Sequence, residues 1–203
     1  MNEFFLKKVA VELNKEITEQ IKSGYIEMVP TYMNSKEWTE KFGDTLIKIL
    51  NKNIGSDIYK SGELYDAGKL YLQEALRKND FSVWESKHEK ISDNIACWKY
   101  LWLIEHENEG KKWLEELQKV CSIKAPCKLI ISYGRNDKNK KGVGLLKEAE
   151  EIIEYIGHNE NEELVVMFGT DNDGLSVLEE IESIYDIYHY DRNTRKFKKY
   201  NTE

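Results

Sequence analysis

The chain has 203 residues, of which 40% are hydrophobic and 33% charged, and its formal net charge is −7. Such a chain suits one globular domain with a sizeable core, and its scarcity of proline argues against long disordered linkers. The acidic balance disfavours a generic polyanion binder, while no stretch approaches the roughly 20 apolar residues that span a bilayer, so no membrane partner is expected.

Residues 3–23 carry Leu6, Val9, Leu13, Ile17 and Ile21 at helical spacing. Charges interrupt the stretch too often for a signal peptide, and Gly24 is a stop. Residues 25–35 read as an extended link. Ser35 then caps a second helix whose stripe is Trp38, Phe42, Leu46, Ile49 and Leu50, ending at Asn53-Ile54-Gly55. A third helix is predicted over residues 62–78, with Leu64, Tyr71, Leu72, Ala75 and Leu76 inward.

The pattern changes at Asn79. Asp80 to Glu85 reads as a short strand, HEKISDN as a polar turn and CWKYLWLIEHE as a central strand. Residues 110–122 return to helical spacing through Trp113, Leu117, Val120 and Cys121. The apolar run CKLIISY (127–133) reads as a buried strand, RNDKNKKG as a basic loop, residues 143–156 as a helix and Leu164–Phe168 as a strand. A short helix near 175–184 and a polar, Tyr-rich pair of strands near 185–190 and 195–200 complete the chain. This order predicts an α/β fold, a mixed sheet flanked by helices. The expected organisation is a single domain over 1–203: a mainly helical part at 1–78, an α/β core at 79–170, and a C-terminal helix with polar strands at 171–203.

The cysteines, Cys97, Cys121 and Cys127, are odd in number and lack CxxC spacing. They argue against a disulfide framework or a structural zinc site and read as reduced thiols of a cytoplasmic protein.

The string LIEHENE (103–109) holds the most chemistry. On a strand, Glu105 and Glu107 share one face, about 7 Å apart, with His106 opposite. Two such carboxylates bind one divalent cation if a third acid converges on them, and Asp80, opening the preceding strand, is the candidate.

Asp80 opening one strand, an acid pair ending the next, and the helix and apolar strand KKWLEELQKVCSIKAPCKLIISY that follow together resemble the core of the PD-(D/E)XK nuclease superfamily. The resemblance covers residues 36–170 and implies a restriction-endonuclease-like fold with an N-terminal helical layer. It also implies Mg²⁺ or Mn²⁺ as cofactor and DNA as substrate. In that family the Asp and the first acid hold the ion, a metal-bound water attacks phosphorus, and the Lys orients or activates that water. Asp80 fills the Asp role, Glu105 the first acid, and Glu107 the Lys position, a departure that some restriction endonucleases share. Asn79 replaces the motif's proline, and Glu40 on the second helix is a candidate for a further acid. A rival placement is Glu85-Ser86-Lys87, a literal E-x-K, with Asp66 upstream; Lys87 is alternatively the missing positive charge of the first placement.

Two basic clusters are candidate DNA contacts: Arg135, Lys138, Lys140 and Lys141, and Arg192, Arg195, Lys196, Lys198 and Lys199 with Phe197 among them. Each also reads as a solvated loop or tail. Asp171-Asn172-Asp173-Gly174 opens like a calcium loop, but Leu175 and Ser176 stand where an oxygen ligand and Gly are required, so a tight turn is expected. Gly142-Val143-Gly144 lacks the P-loop's Gly-Lys-Ser/Thr. No histidine pair has metal-ligand spacing, and the tryptophans read as core. The alternative function is a catalytically inactive member of the same fold that binds another protein. The oligomeric state stays open, a homodimer included.

Overall fold

The computed structural model describes residues 5–23, 35–54, 57–60, 69–74, 80–86, 98–107, 111–135, 142–157, 159, 161–169 and 182–200. Helices α1 (Phe5–Lys22) and α2 (Ser35–Ile54) precede strands β1 (Ile58–Lys60), β2 (Leu70–Glu74), β3 (Phe81–Ser86) and β4 (Trp98–His106). Helix α3 (Trp113–Ser122) leads to β5 (Cys127–Tyr133). A 3₁₀ turn (Gly142–Leu145) and α4 (Leu146–Ile156) lead to β6 (Glu163–Gly169), β7 (Tyr185–Asp191) and β8 (Lys196–Tyr200).

Among the described residues the strands form one mixed sheet in sequence order, β1 to β8. The pairs β1–β2, β4–β5 and β5–β6 are parallel, and β2–β3, β3–β4, β6–β7 and β7–β8 are antiparallel. Two successive parallel steps in one direction, β4–α3–β5–α4–β6, place both crossover helices on one face of the sheet. There Trp113, Leu117, Val120, Ala149 and Ile153 meet Leu103, Ile130 and Val166. The other face is covered by α1 and α2, whose Leu6, Leu13, Ile17, Phe42 and Leu46 pack on Phe81, Trp102, Ile104, Leu129 and Met167.

This double cover explains why every residue of β5 is buried. Edge strand β8 is mostly exposed and Lys-rich, a composition that discourages pairing with another chain. The α1 layer is keyed to the sheet by Asn14, which donates to Tyr185 O at 2.9 Å and accepts from the Tyr185 backbone N–H at 3.1 Å. Gly142 has φ +52°, and a Cβ there would stand 2.4 Å from Tyr133 O. Only glycine lets the returning loop close so tightly on the end of β5. Trp113 Nε1 fastens that loop by donating to Gly142 O at 3.2 Å.

The third predicted helix is corrected. Its described part, Leu70–Glu74, is a strand between β1 and β3. Leu70 and Leu72 both pack toward the α1–α2 core, so the apolar period there is two, and pairing on both edges outweighs local propensity. The segment between α2 and the predicted third helix, for which the sequence predicts no element, contributes a strand, β1. Residues 182–184 are not helical. The rest of the predicted 175–184 helix, and the loop that opens at Asp171, lie outside the described residues.

Candidate active site

The β3–β4 register brings the two acids together. Phe81 stands opposite Ile104 and Ser82 opposite Leu103; one residue further, Asp80 stands opposite Glu105, on the same face. Leu103 belongs to the α3–α4 core, so Glu105 points to that side as well. Two bonds tie the acids to each other's strands. Asp80 N–H donates to Glu105 Oε2 at 3.4 Å, and the Asp80 carboxylate accepts from the backbone N–H of His106 at 2.6 Å.

Glu105 is 1% exposed, and its Oε1 is buried without a hydrogen-bond partner. Such an oxygen is costly unless a cation or proton serves it. Helix α3 supplies a cation: Lys119 Nζ lies 3.0 Å from Glu105 Oε2 and also pairs with Glu116, one turn earlier. Burial pushes the Glu105 carboxyl up to about 8, against the pull of Lys119. Burial raises Asp80 too, partly offset by the His106 N–H. Burial pulls Lys119 down, but hydrogen bonds to Glu116 and Glu105 more than compensate and raise it. Glu105 therefore holds its proton more tightly than an ordinary carboxyl.

His106, on the opposite face, shares a 2.5 Å hydrogen bond between Nε2 and the Tyr133 hydroxyl, with the rings edge-on at 5.5 Å. Burial pushes its pKa down to about 3. A depressed folded-state pKa contributes stability that is present above the unfolded value, about 6.5, and lost as pH falls through the folded one. Each pH unit across that window carries about 1.36 kcal/mol where the group's protonation differs fully between the folded and unfolded chains. Denaturant titrations from pH 7 to pH 4 are therefore expected to show wild-type stability falling by roughly 2 kcal/mol more than that of a His106→Gln variant. Equal acid limbs would contradict this.

The other sequence candidates stand at varying distances from this pair. Glu107 is partly buried just past β4, its N–H donating to Ile131 O at 2.8 Å. Lys87 and Asp66 lie outside the described residues, and Glu85 stands near the other end of β3 from Asp80, about 16 Å away along the strand. Glu40 is exposed on α2, the helix that covers the opposite face from Glu105. Arg135 is engaged within the fold rather than offered to a phosphate: it donates to Ser183 O at 2.5 Å and pairs with Asp186 at 3.1 Å. Lys138, Lys140 and Lys141 lie outside the described residues.

The C-terminal basic cluster is largely engaged within the fold as well. Arg192 bonds Glu162 O, Arg195 pairs with Glu154 at 3.0 Å, Lys198 with Asp191 and Lys199 with Asp186 at 2.9 Å. Lys196 is exposed, and Phe197 stacks edge-on with Tyr190. Strand β8 stands four steps from β4, about 19 Å away. A polar cavity of about 170 Å³, lined by Lys7, Glu163, His189, Asp191 and Arg192 among others, opens at the other end of the sheet and includes neither Asp80 nor Glu105.

Sequence reasoning missed Lys119 and Glu116. The available signal was their spacing on α3: they flank the buried stripe of Trp113, Leu117 and Val120 and so sit at the edge of the helix–sheet contact.

The donor set fits a divalent cation in part. Among the described residues no three His, Cys, Asp or Glu side chains form a complete ligand group. Asp80 and Glu105 supply two carboxylates, with Glu105 Oε1 unserved. No helix among the described residues is long and apolar enough to cross a membrane. No family model, curated protein or solved structure matches the chain.

Proposed function

We propose that the protein hydrolyses phosphodiester bonds in DNA with a Mg²⁺ or Mn²⁺ ion held by Asp80 and Glu105, in the manner of the PD-(D/E)XK nucleases that this segment resembles. The observation that carries the reading is the buried Glu105 carboxylate, one oxygen unpartnered, opposite Asp80 at the mouth of parallel strands β4 and β5. The carboxyl ends of parallel strands are where open α/β sheets bind ligands. The ion, when bound, supplies Lewis acidity and a water of lowered pKa.

Asp80 and Glu105 bind and orient, their positions set by the strand register. Glu107, two residues on from Glu105, is assigned as acceptor of the water's proton. The basic residues Lys138, Lys140 and Lys141, which follow β5 in the sequence, are assigned to the DNA backbone.

The second reading, a fold that has lost its chemistry and binds another protein, is favoured by one observation: Lys119 already neutralises part of the acid cluster. Plasmid and single-stranded DNA incubated with Mg²⁺ or Mn²⁺ separate the two. Cleavage by the wild type that falls at least about 10²-fold in an Asp80→Ala/Glu105→Ala variant is the expected result, the scale of losing charge stabilisation at a reacting phosphate. No cleavage with either ion, or equal cleavage by the variant, would move the assignment to the protein-binding reading.

A further inference from the structure

Lys119 stands on one oxygen, Oε2, of the carboxylate whose other oxygen, Oε1, is unpartnered and would receive a cation. Its Nζ is 3.0 Å from Glu105 Oε2, the oxygen that also faces Asp80 N–H, and it contacts Glu116 as well. The side chains on either side of this contact differ in freedom. That of Glu105 is 2% exposed and fixed from the sheet, whereas that of Lys119 is 27% exposed and has a four-carbon stem that reaches water by rotating its own torsions. Glu115 is exposed four residues earlier on α3, at the i−4 spacing where a lysine finds a surface partner. Lys119 thus has somewhere to go, and Glu105 does not.

From this geometry we infer that a divalent cation enters the site by exchange with the Lys119 ammonium, which swings from Glu105 toward the α3 surface as the ion takes its place between Asp80 and Glu105. The inference rests on the proposed cation site and adds the residue that guards it. An ammonium on Oε2 and a divalent ion on Oε1 of the same buried carboxylate repel each other strongly. Exchange therefore has a thermodynamic signature: Lys119 opposes the ion, so removing its charge tightens binding. A lysine that only held Glu105 in position would have the opposite effect.

Mn²⁺ titration by calorimetry into the full chain tests this, with Lys119→Met and Asp80→Asn variants. At least about tenfold tighter binding by Lys119→Met, together with loss of binding in Asp80→Asn, is expected. Unchanged or weaker binding by Lys119→Met, with wild-type binding still dependent on Asp80, would overturn the exchange and leave the cation site standing. No binding by either the wild type or Lys119→Met, or binding indifferent to Asp80→Asn, would overturn the site and the exchange together. A second measurement needs no variant. Acetic anhydride labelling of Lys119 in the wild type, read by mass spectrometry, is expected to rise severalfold at saturating Mn²⁺; unchanged labelling would overturn the exchange.

Discussion

Replacing Glu105 by glutamine is expected to abolish metal-dependent cleavage and, at pH 8 and above, to stabilise the fold. The two effects have one cause. Glu105 is 1% exposed, and burial pushes its pKa up to about 8. A carboxyl whose folded-state pKa is raised contributes stability that is fully present below its unfolded value, about 4.5, and lost as pH rises through the folded one. Wild-type stability should therefore decline between about pH 4.5 and pH 8 by roughly 3 kcal/mol, less than the full linkage value because Lys119 and solvent relieve part of the burial. Glutamine does not titrate, and Lys119 retains Glu116 as its partner. The variant should escape most of that decline, so its stability relative to wild type should improve from pH 5 to pH 8.5. Urea denaturation at the two pH values reads the difference. An equal stability difference at both would show that the buried carboxyl is not strained by its charge.

Breaking the ion pair between Lys128 and Glu162 is expected to be the most destabilising single change away from the site. Lys128 and Glu162 are 1% and 5% exposed, and Lys128 Nζ lies 2.5 Å from Glu162 Oε2. Glu162 also accepts from the Ala125 N–H at 3.3 Å, which ties the start of β5 to the start of β6. Lys128→Met strands a buried carboxylate, at a cost of about 3–5 kcal/mol. For a chain of this size that lowers the melting temperature by about 10 °C. Lys128→Met/Glu162→Gln removes both charges, keeps the acceptor for Ala125, and should recover most of the loss. The pair lies at the sheet end away from Asp80 and Glu105. Activity per folded molecule should hold in these variants, whereas Glu105→Gln should lose activity without losing stability.

The sequence was most legible where one periodicity dominated. The stripe of α1, the part of the α2 stripe at Phe42, Leu46, Ile49 and Leu50, the almost uniformly apolar β5 and the alternation that put His106 opposite Glu105 all appear in the structure at the expected places. Asp80 and Glu105 could be paired from sequence because strand polarity and a simple antiparallel register suffice to bring them together. The segment holding Leu70-Tyr71-Leu72 misled because a short apolar run fits both periods, and only its neighbours β1 and β3 decide between them. Lys119 was illegible for a different reason. Its spacing marks only the edge of the helix–sheet contact, while its pairing with Glu105 depends on how α3 lies across β4, a tertiary fact. Arg135 shows the converse: a basic residue in a basic loop looks like a phosphate ligand until Ser183 and Asp186, far along the chain, claim it.

The most direct test of the central claim is anomalous diffraction at the manganese edge from crystals of the protein grown with Mn²⁺ and a short DNA duplex. The expected result is one strong peak about 2.0–2.3 Å from carboxylate oxygens of both Asp80 and Glu105. A well-ordered map with no peak between those two side chains, or with the ion held elsewhere, would contradict the assignment of this acid pair as the catalytic metal site.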